Sequence, residues 1–235
     1  MPTHLSRERF QTLAGRKTAW RALMLEDHGL LRKIYDNSHP VGAEMWRSYQ
    51  PSPKDISNWQ GKGIKTIINL RGWIEHRGGE QPGFYWLEEE AAKAHGLDFV
   101  NFRAFSREAP SKAFIKGIDK LFQEITYPAM MHCKSGADRA GLASTLYLFL
   151  KEERPLEEAL DQLSYRYGHV KSGKTGVLDH FFDTYKEAAT ADGVTPNRAH
   201  FLYWAENDYD QAAVQQSFTP GKLGSLLTEV ILRRE

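Results

Sequence analysis

The chain is poor in cysteine, with one residue, Cys133, among 235. A single cysteine excludes an internal disulfide and any metal site built from several thiolates. A reducing compartment such as the cytoplasm is therefore the expected location. The thiol would also have to stay reduced to take part in chemistry.

Net charge and long apolar runs are lacking as well. The 31 basic residues almost balance the 30 acidic ones, so a formal charge of +1 predicts no bulk attraction to nucleic acid. The uncharged apolar stretch at 140–150 is far shorter than the roughly 20 residues that span a bilayer. Arg21 and Glu26 interrupt the stretch that follows the basic N-terminus, so no export signal is predicted. Any membrane contact is expected to be peripheral.

Strand and helix patterns alternate through the middle of the chain. Strands are predicted at 64–70, at 97–105 and just before His132, and helices at 55–60, 85–94, 111–124, 139–152, 155–167 and 177–188. This alternation predicts an α/β fold with a central, mostly parallel sheet of four to five strands, flanked by helices. We predict an N-terminal helical extension over 1–42, a catalytic domain over 43–190 and a C-terminal helical extension over 191–235.

Both extensions carry amphipathic patterns. The helix predicted over 18–35 either packs against the catalytic domain or lies on anionic lipid as a basic interfacial helix, and its Glu26 and Asp27 count against the second alternative. The last segment is expected to cover core or to form a dimer, and its apolar residues are Leu223, Leu226, Leu227, Val230 and Ile231.

The stretch from His132 to Arg139 has the sequence HCKSGADR, and it lies between a predicted strand and a predicted helix. Backbone amides of residues 134 to 139 can surround one anion, because Gly136 permits a turn that other residues resist and the helix directs its positive end inward. The helix dipole and Arg139 also favour an ionised sulfur at Cys133. The stretch therefore predicts a phosphate-binding loop with a nucleophile.

A second phosphate-binding pattern lies at 168–175, where GHVKSGKT satisfies G-x-x-x-x-G-K-[ST]. That motif requires a buried strand directly before it, whereas residues 157–167 have a helical period. A nucleotide-binding protein is therefore only an alternative. We favour a basic loop before the helix that begins at Val177.

The order H-C-x-x-G-x-x-R resembles the signature of the cysteine-dependent phosphatases, which include protein tyrosine and dual-specificity phosphatases. Residues 46–53 and 63–71 resemble the opening of the bacterial and fungal dual-specificity-like members, and the resemblance covers about 43–187. It implies a metal-independent phosphomonoester hydrolase without a cofactor. Cys133 would form a phosphocysteine and Arg139 would grip two phosphate oxygens through its planar fork. His132 is expected to hold the loop by hydrogen bonds.

Two departures from the family pattern concern turnover. The family usually has an Asp about thirty residues before the Cys as general acid, whereas this region offers only Glu108. Asp138 resembles instead the branch with C-x-x-x-x-D-R, in which that Asp is the proposed donor, although it could equally cap the helix. Ala140 replaces the usual Ser or Thr that assists release of the thiolate. A phosphate-binding module with weak turnover therefore stays an alternative.

The predicted site also contains loop residues and cations that would contact substrate. The loop residues are Lys134, Ser135, Gly136 and Ala137, and the cations expected around them are Arg103, Arg107, Lys171 and Lys174. Lys134 resembles the phosphoinositide phosphatases, but their second loop Lys is Ala137 here. A phosphoprotein, an inositol phosphate and a phospholipid or glycolipid all remain possible substrates.

Overall fold

The computed structural model describes residues 3–32, 35–74 and 76–221. The chain divides into two units. Unit 1 comprises the residues up to Arg103 together with Thr126–Gly136, and unit 2 comprises Ala104–Ile125 together with the residues from Ala137 onward. The predicted division at residues 42 and 190 stays a prediction.

Unit 1 contains the sheet and the N-terminal helices. Its strands are β1 (His4–Leu5), β2 (His39–Val41), β3 (Met45–Ser48), β4 (Thr66–Asn69), β5 (Gln81–Pro82), β6 (Asp98–Asn101) and β7 (Ala129–His132). Its helices are α1 (Arg7–Gln11), α2 (Leu13–Arg21), α3 (Gly29–Arg32), α4 (Pro53–Gly61) and α5 (Gly83–Ala94), with a π-helical turn at Ala22–Glu26 and a 3-10 turn at Arg77–Gly79.

The main sheet has five strands in the order β2-β3-β7-β4-β6, and all but the antiparallel edge strand β2 run parallel. The expected mostly parallel α/β sheet is confirmed. Strands β4 and β7 are buried along their whole length, as the predicted apolar runs require. Because parallel strands end at the same edge, the residues that follow β3, β4 and β7 lie side by side.

Helices α4 and α5 supply one layer of core. Ile56, Trp59 and Ala92 pack with the sheet residues Ile67 and Met130. Helix α4 begins at Pro53, two residues before the predicted start, because Ser52 and Asp55 form a reciprocal capping box with Pro at the first turn. The strand predicted over 97–105 is shorter than expected and ends at Asn101, where the chain turns into a loop.

The helix predicted over 18–35 is broken. Helix α2 passes into the π-helical turn, and His28 then adopts a left-handed φ of 60° before α3 begins. The break places Asp27 in the interior, where it is only 2% exposed. Helix α2 packs closely on α5, because a Cβ at Gly83 would come within 2.6 Å of the Ala19 Cα.

Unit 2 is helical. Its helices are α6 (Lys112–Glu124), α7 (Asp138–Leu146), α8 (Leu156–Leu160), α9 (Val177–Ala191), α10 (Arg198–Asn207) and α11 (Gln211–Ser217). A π-helical turn at Tyr147–Lys151 continues α7, and 3-10 turns lie at Tyr165–Tyr167 and Lys174–Gly176. The helix predicted over 155–167 is thus wrong beyond Leu160. Gly168 has a left-handed φ of 81° and ends the 3-10 turn at Tyr165–Tyr167.

The core of unit 2 is largely aromatic. Tyr185 on α9 lies 4.8 Å from Phe201 and 5.2 Å from Trp204 between ring centroids, and Trp204 lies 4.9 Å from Tyr209. The Tyr209 hydroxyl donates to the Pro110 carbonyl at 2.7 Å, which ties α10 to the segment before α6. The described part of the C-terminal region therefore packs as core, while the amphipathic segment from Leu223 lies outside the described residues.

No helix within the described residues combines the length and apolar character needed to cross a membrane.

Candidate active site

Cys133 follows β7 directly and lies at the carboxyl edge of the sheet in unit 1. His132 is in register with Ser48 of β3 and Asn69 of β4, so the thiol emerges between two neighbouring strand ends. The side chain is a free thiol and is buried at 2% exposure. Its backbone N–H donates to the Ser48 carbonyl at 3.4 Å, which extends the hydrogen bonding between β3 and β7 by one residue.

The next three carbonyl groups are each held by a buried or half-buried side chain of unit 1. Arg32 Nη1 donates to the Lys134 carbonyl at 3.0 Å, Asn37 Nδ2 to that of Ser135 at 2.9 Å, and Arg47 Nη2 to that of Gly136 at 2.7 Å. In a trans peptide the C=O and the following N–H point in opposite directions. The N–H groups of the following residues therefore point to the opposite side, which is the arrangement that binds an anion.

Gly136 is required by its conformation. Its φ is +75°, a left-handed value that side chains rarely adopt. A Cβ there would also come within 3.0 Å of the Ser48 backbone and 3.1 Å of Asn37 Nδ2. The loop approaches β3 closely only because residue 136 has no side chain.

A buried cluster of charged side chains holds the arginine that binds the loop. Asp27 accepts from Arg32 Nη2 at 2.8 Å and from both terminal nitrogens of Arg71 at 2.9 and 3.0 Å. Arg71 also donates to Gln50 Oε1 at 2.9 Å. Burial alone would raise the pKa of Asp27, but the charge and hydrogen bond of Arg71 and the charge of Arg32 outweigh it and hold that pKa below its ordinary value. Asp27 thus fixes the arginine that binds the Lys134 carbonyl.

His132 contacts the loop and a buried carboxylate. Its Nδ1 lies 3.3 Å from the Cys133 carbonyl, and its Nε2 lies 2.5 Å from Glu88 Oε1. Gln50 Nε2 donates to the other oxygen of Glu88 at 2.6 Å. Both His132 and Glu88 are fully buried. The contact with the Cys133 carbonyl is the kind of loop support that we expect of His132.

Unit 2 holds the rest of the predicted loop. Ala137 is the N-cap of α7 and makes no side-chain cap, and Asp138 is the first helical residue. The alternative role of Asp138 as the cap is therefore wrong. Asp138 Oδ1 instead lies 2.8 Å from Nδ1 of His169, whose Nε2 lies 2.7 Å from Oδ2 of Asp179. Arg139 follows in the first turn of α7.

Burial lowers the pKa of His169, but the hydrogen bonds and charges of Asp138 and Asp179 outweigh it and raise that pKa to about 9. The ring is completely buried and each nitrogen faces a carboxylate oxygen. Both nitrogens can donate only in the imidazolium form. His169 is thus a buried cation between two carboxylates.

The predicted cations differ in their surroundings. Lys171 pairs with Asp183 at 3.3 Å and approaches Asp179 at 3.9 Å, while its side chain stays 63% exposed. Lys174 begins the 3-10 turn that leads into α9. Arg103 belongs to unit 1, where its Cβ lies so close to Gly72 that a Cβ on the glycine would come within 2.5 Å. Their contact with substrate stays a prediction.

Two other candidates lie in the connection between β6 and α6. Arg107 accepts a long hydrogen bond from Gln215 at its carbonyl, 3.5 Å away. Glu108, the alternative general acid, is exposed in the same connection.

The G-x-x-x-x-G-K-[ST] pattern lacks the structure of a nucleotide-binding loop. The residues before it form the 3-10 turn Tyr165–Tyr167 and no strand, and Lys174 and Thr175 lie in a second 3-10 turn. Gly176 is packed so closely on the Lys171 carbonyl that a Cβ would come within 1.8 Å. Within the described ranges, no group of three or more His, Cys, Asp or Glu side chains is arranged to hold a metal ion.

A known structure shares this architecture, although no protein-family model and no curated protein matches the chain. The structure of TpbA from P. aeruginosa matches with a TM-score of 0.51 at 15% identity, over 74% of this chain and 93% of TpbA. The chain has the fold of the dual-specificity-like phosphatases. TpbA in complex with pTyr matches at a TM-score of 0.44 and 18% identity, over 57% and 75% of the two chains. PTPMT1 matches with a TM-score of 0.46 at 15% identity, over 66% of this chain and 99% of PTPMT1.

Sequence reasoning missed the residues that support the loop. Arg47 and Gln50 lie inside the stretch 46–53 that carries the family resemblance, so their position was a usable signal. Arg32 and Asn37 lie in the predicted N-terminal extension, and Glu88 and His169 lie in segments whose periodicity indicates only helix or loop. No local pattern distinguishes these four from surface residues.

Proposed function

We propose that the chain is a metal-independent phosphomonoester hydrolase that works through a phosphocysteine on Cys133. The observation that carries the proposal is the set of hydrogen bonds to the loop after β7, whose carbonyl groups at 134, 135 and 136 each accept from a side chain of unit 1. The opposing N–H groups then form a set of donors next to the only thiol in the chain. The shared fold with TpbA supports the same conclusion.

The reaction has two steps. The Cys133 thiolate attacks phosphorus, the bond from phosphorus to the ester oxygen breaks, and that oxygen leaves with a proton or as an anion. Water then attacks phosphorus, the P–S bond breaks with its electron pair returning to sulfur, and inorganic phosphate leaves. Arg139, six residues after Cys133, would bind two nonbridging oxygens in both steps through its planar fork.

Two arginines of unit 1 bind the loop that follows Cys133. Arg32 and Arg47 donate to loop carbonyls and so polarise the peptide groups whose N–H bonds point inward. The substrate class is a phosphate monoester, and a phosphoprotein, an inositol phosphate or a lipid phosphate fits this chemistry.

Turnover of p-nitrophenyl phosphate tests the proposal. The purified chain should release nitrophenolate, Cys133→Ser should abolish release, and vanadate should inhibit it. Peroxide should inactivate the enzyme reversibly, with recovery under thiol, because the first oxidation product of a thiolate is reducible. EDTA should change nothing, and loss of activity with EDTA would refute the metal-free mechanism.

A phosphate-binding module with little turnover is the second candidate. Ala140 favours it, because the family usually has a hydroxyl at this buried position to assist release of the thiolate. That candidate predicts tight tungstate binding without sustained release of nitrophenolate.

A further inference from the structure

Helix α2 of unit 1 has one buried face and one exposed face. Gly15 and Ala19 are buried, and Ala19 packs on Gly83 at the start of α5. On the opposite side lie Leu13 and Trp20, which are 73% and 41% exposed. They are seven residues, or about two turns, apart and therefore share one face of the helix. Helix α2 thus gives its small residues to the core and leaves its two largest apolar side chains in solvent.

The charged side chains on this exposed face are all cationic. Lys17 lies one turn from both Leu13 and Trp20, and Arg21 lies one turn after Lys17. Both cations are exposed, and neither is paired with a carboxylate within the described residues. The chain contains no acidic residue between Arg9 and Leu25. The exposed face is therefore a patch of two apolar and two cationic side chains, which we call the α2 patch: Leu13, Lys17, Trp20 and Arg21.

Exposed apolar side chains of unit 1 are confined to this region of the chain. Among the described residues of unit 1, the exposed large apolar side chains all belong to positions 13–35, and they are Leu13, Trp20, Leu25, Leu30 and Tyr35. Leu25 follows α2 in the π-helical turn, and Leu30 lies in α3. Large apolar side chains that stay in solvent and lie next to unpaired cations mark a surface that binds a partner.

The two acidic residues that follow α2 oppose this positive charge unequally. Asp27 is buried and paired with Arg32 and Arg71, so it presents no negative charge to a surface. Glu26 lies in the π-helical turn after α2, where it accepts from the backbone N–H and the hydroxyl of Thr3 at 2.6 and 3.0 Å. The sequence argument against a lipid surface therefore loses one of its two acidic residues.

We propose that the α2 patch is a membrane-docking surface that binds anionic phospholipid. Trp20 and Leu13 would enter the boundary between headgroups and acyl chains, and the long stems of Lys17 and Arg21 would let their charges reach lipid phosphates. A second copy of the chain fits less well, because a symmetric contact would bring two cationic patches together. A protein partner would have to bury Lys17 between two apolar residues, whereas lysine is depleted in the cores of protein interfaces.

Sedimentation with sucrose-loaded vesicles measures this contact and needs no turnover of substrate. The chain should bind vesicles of phosphatidylcholine and phosphatidylserine at a ratio of about 3:1, and it should bind pure phosphatidylcholine at least tenfold more weakly. Sodium chloride at about 0.5 M should remove most of that difference, because salt screens exposed charges. Lys17→Gln combined with Arg21→Gln should weaken binding to the anionic vesicles about 25-fold, or roughly fivefold for each cation.

Lys54→Gln combined with Lys65→Gln is the matched control for charge. It removes the same net charge from two exposed positions of unit 1, one at the start of α4 and one just before β4. Because neither lysine belongs to the α2 patch, binding should stay within about twofold of the unmodified chain.

Trp20 reports whether the patch enters the bilayer, since it is the only exposed tryptophan among the described residues. Brominated phosphatidylcholine in the anionic vesicles should quench part of the emission of the unmodified chain, and that part should be absent in Trp20→Phe. Leu13→Gln combined with Trp20→Gln should weaken binding at least tenfold, because the apolar area buried in lipid is lost. Tyr203→Gln, which removes an exposed aromatic ring from α10, should leave binding unchanged.

Four results would overturn the inference. The first is no binding to anionic vesicles, or equal binding to anionic and neutral ones. The second is a loss in Lys17→Gln with Arg21→Gln no larger than in the lysine control. The third is binding without quenching of Trp20, which would indicate a purely electrostatic contact. The fourth is a dimer in analytical ultracentrifugation that Leu13→Gln with Trp20→Gln converts to a monomer, because the α2 patch would then join two copies of the chain.

Discussion

His169 should make the stability of the protein depend on alkaline pH. Its pKa is about 9 in the folded chain, against 6.5 for an ordinary histidine. Below pH 6.5 both the folded and the unfolded chains hold the proton, and the full stabilisation is present. Between 6.5 and 9 only the folded chain holds it, so the free energy of unfolding falls by about 1.4 kcal/mol per pH unit.

The loss over this window is about 3 kcal/mol, and no discount for solvent screening applies because the ring is fully buried. The assay is urea denaturation, followed by tryptophan fluorescence, of the unmodified chain and of His169→Gln at pH 6, 7, 8 and 9. The difference in stability between them should shrink by about 3 kcal/mol as pH rises.

His200→Gln serves as a control for the loss of a histidine that contacts a largely exposed carboxylate, since His200 lies 3.1 Å from Asp192. A constant difference between the unmodified chain and His169→Gln from pH 6 to 9 would show that His169 is not an imidazolium.

Three further predictions concern the loop and its surroundings. Asp27→Asn leaves the buried Arg32 and the half-buried Arg71 without their shared counter-charge and should lower the free energy of unfolding by roughly 3 kcal/mol in urea denaturation. Glu90→Gln, which breaks an exposed pair with Arg16, should lower it by less than about 1 kcal/mol, and equal losses would refute the role of burial. Gly136→Ala should weaken tungstate inhibition at least tenfold, while Gly96→Ala, which shares the left-handed backbone but meets nothing within 4 Å, should leave it unchanged. Replacing both Arg103 and Arg107, or both Lys171 and Lys174, by neutral residues should raise KM for multiply charged substrates more than for an aryl phosphate. The control Lys120→Met removes an exposed charge and should not have this effect. An equal change in KM for both kinds of substrate would identify these cations as ordinary surface charges.

The break after α2 shows where local patterns stop being informative. Apolar residues at 20, 24, 31 and 35 have a helical period, yet the chain turns at His28 so that Asp27 can reach Arg71, 44 residues away. The two ion pairs and the burial of the turn outweigh the weak local preference for continuing a helix. The segment after Leu160 also departs from its helical pattern, because α8 ends at Leu160 and a 3-10 turn follows at Tyr165–Tyr167.

The sequence by itself determined the α/β alternation, the parallel strands and the loop that carries Cys133. These features depend on short-range properties: apolar runs, caps, and the adjacency of Cys133, Gly136 and Arg139 in one stretch. Tertiary structure alone decided which side chains orient the loop and which side chain contacts Asp138. Arg32 reaches a carbonyl 102 residues away, and His169 reaches Asp138 over 31 residues. Such contacts leave no periodic trace, because one buried partner at a distance produces no pattern along the chain.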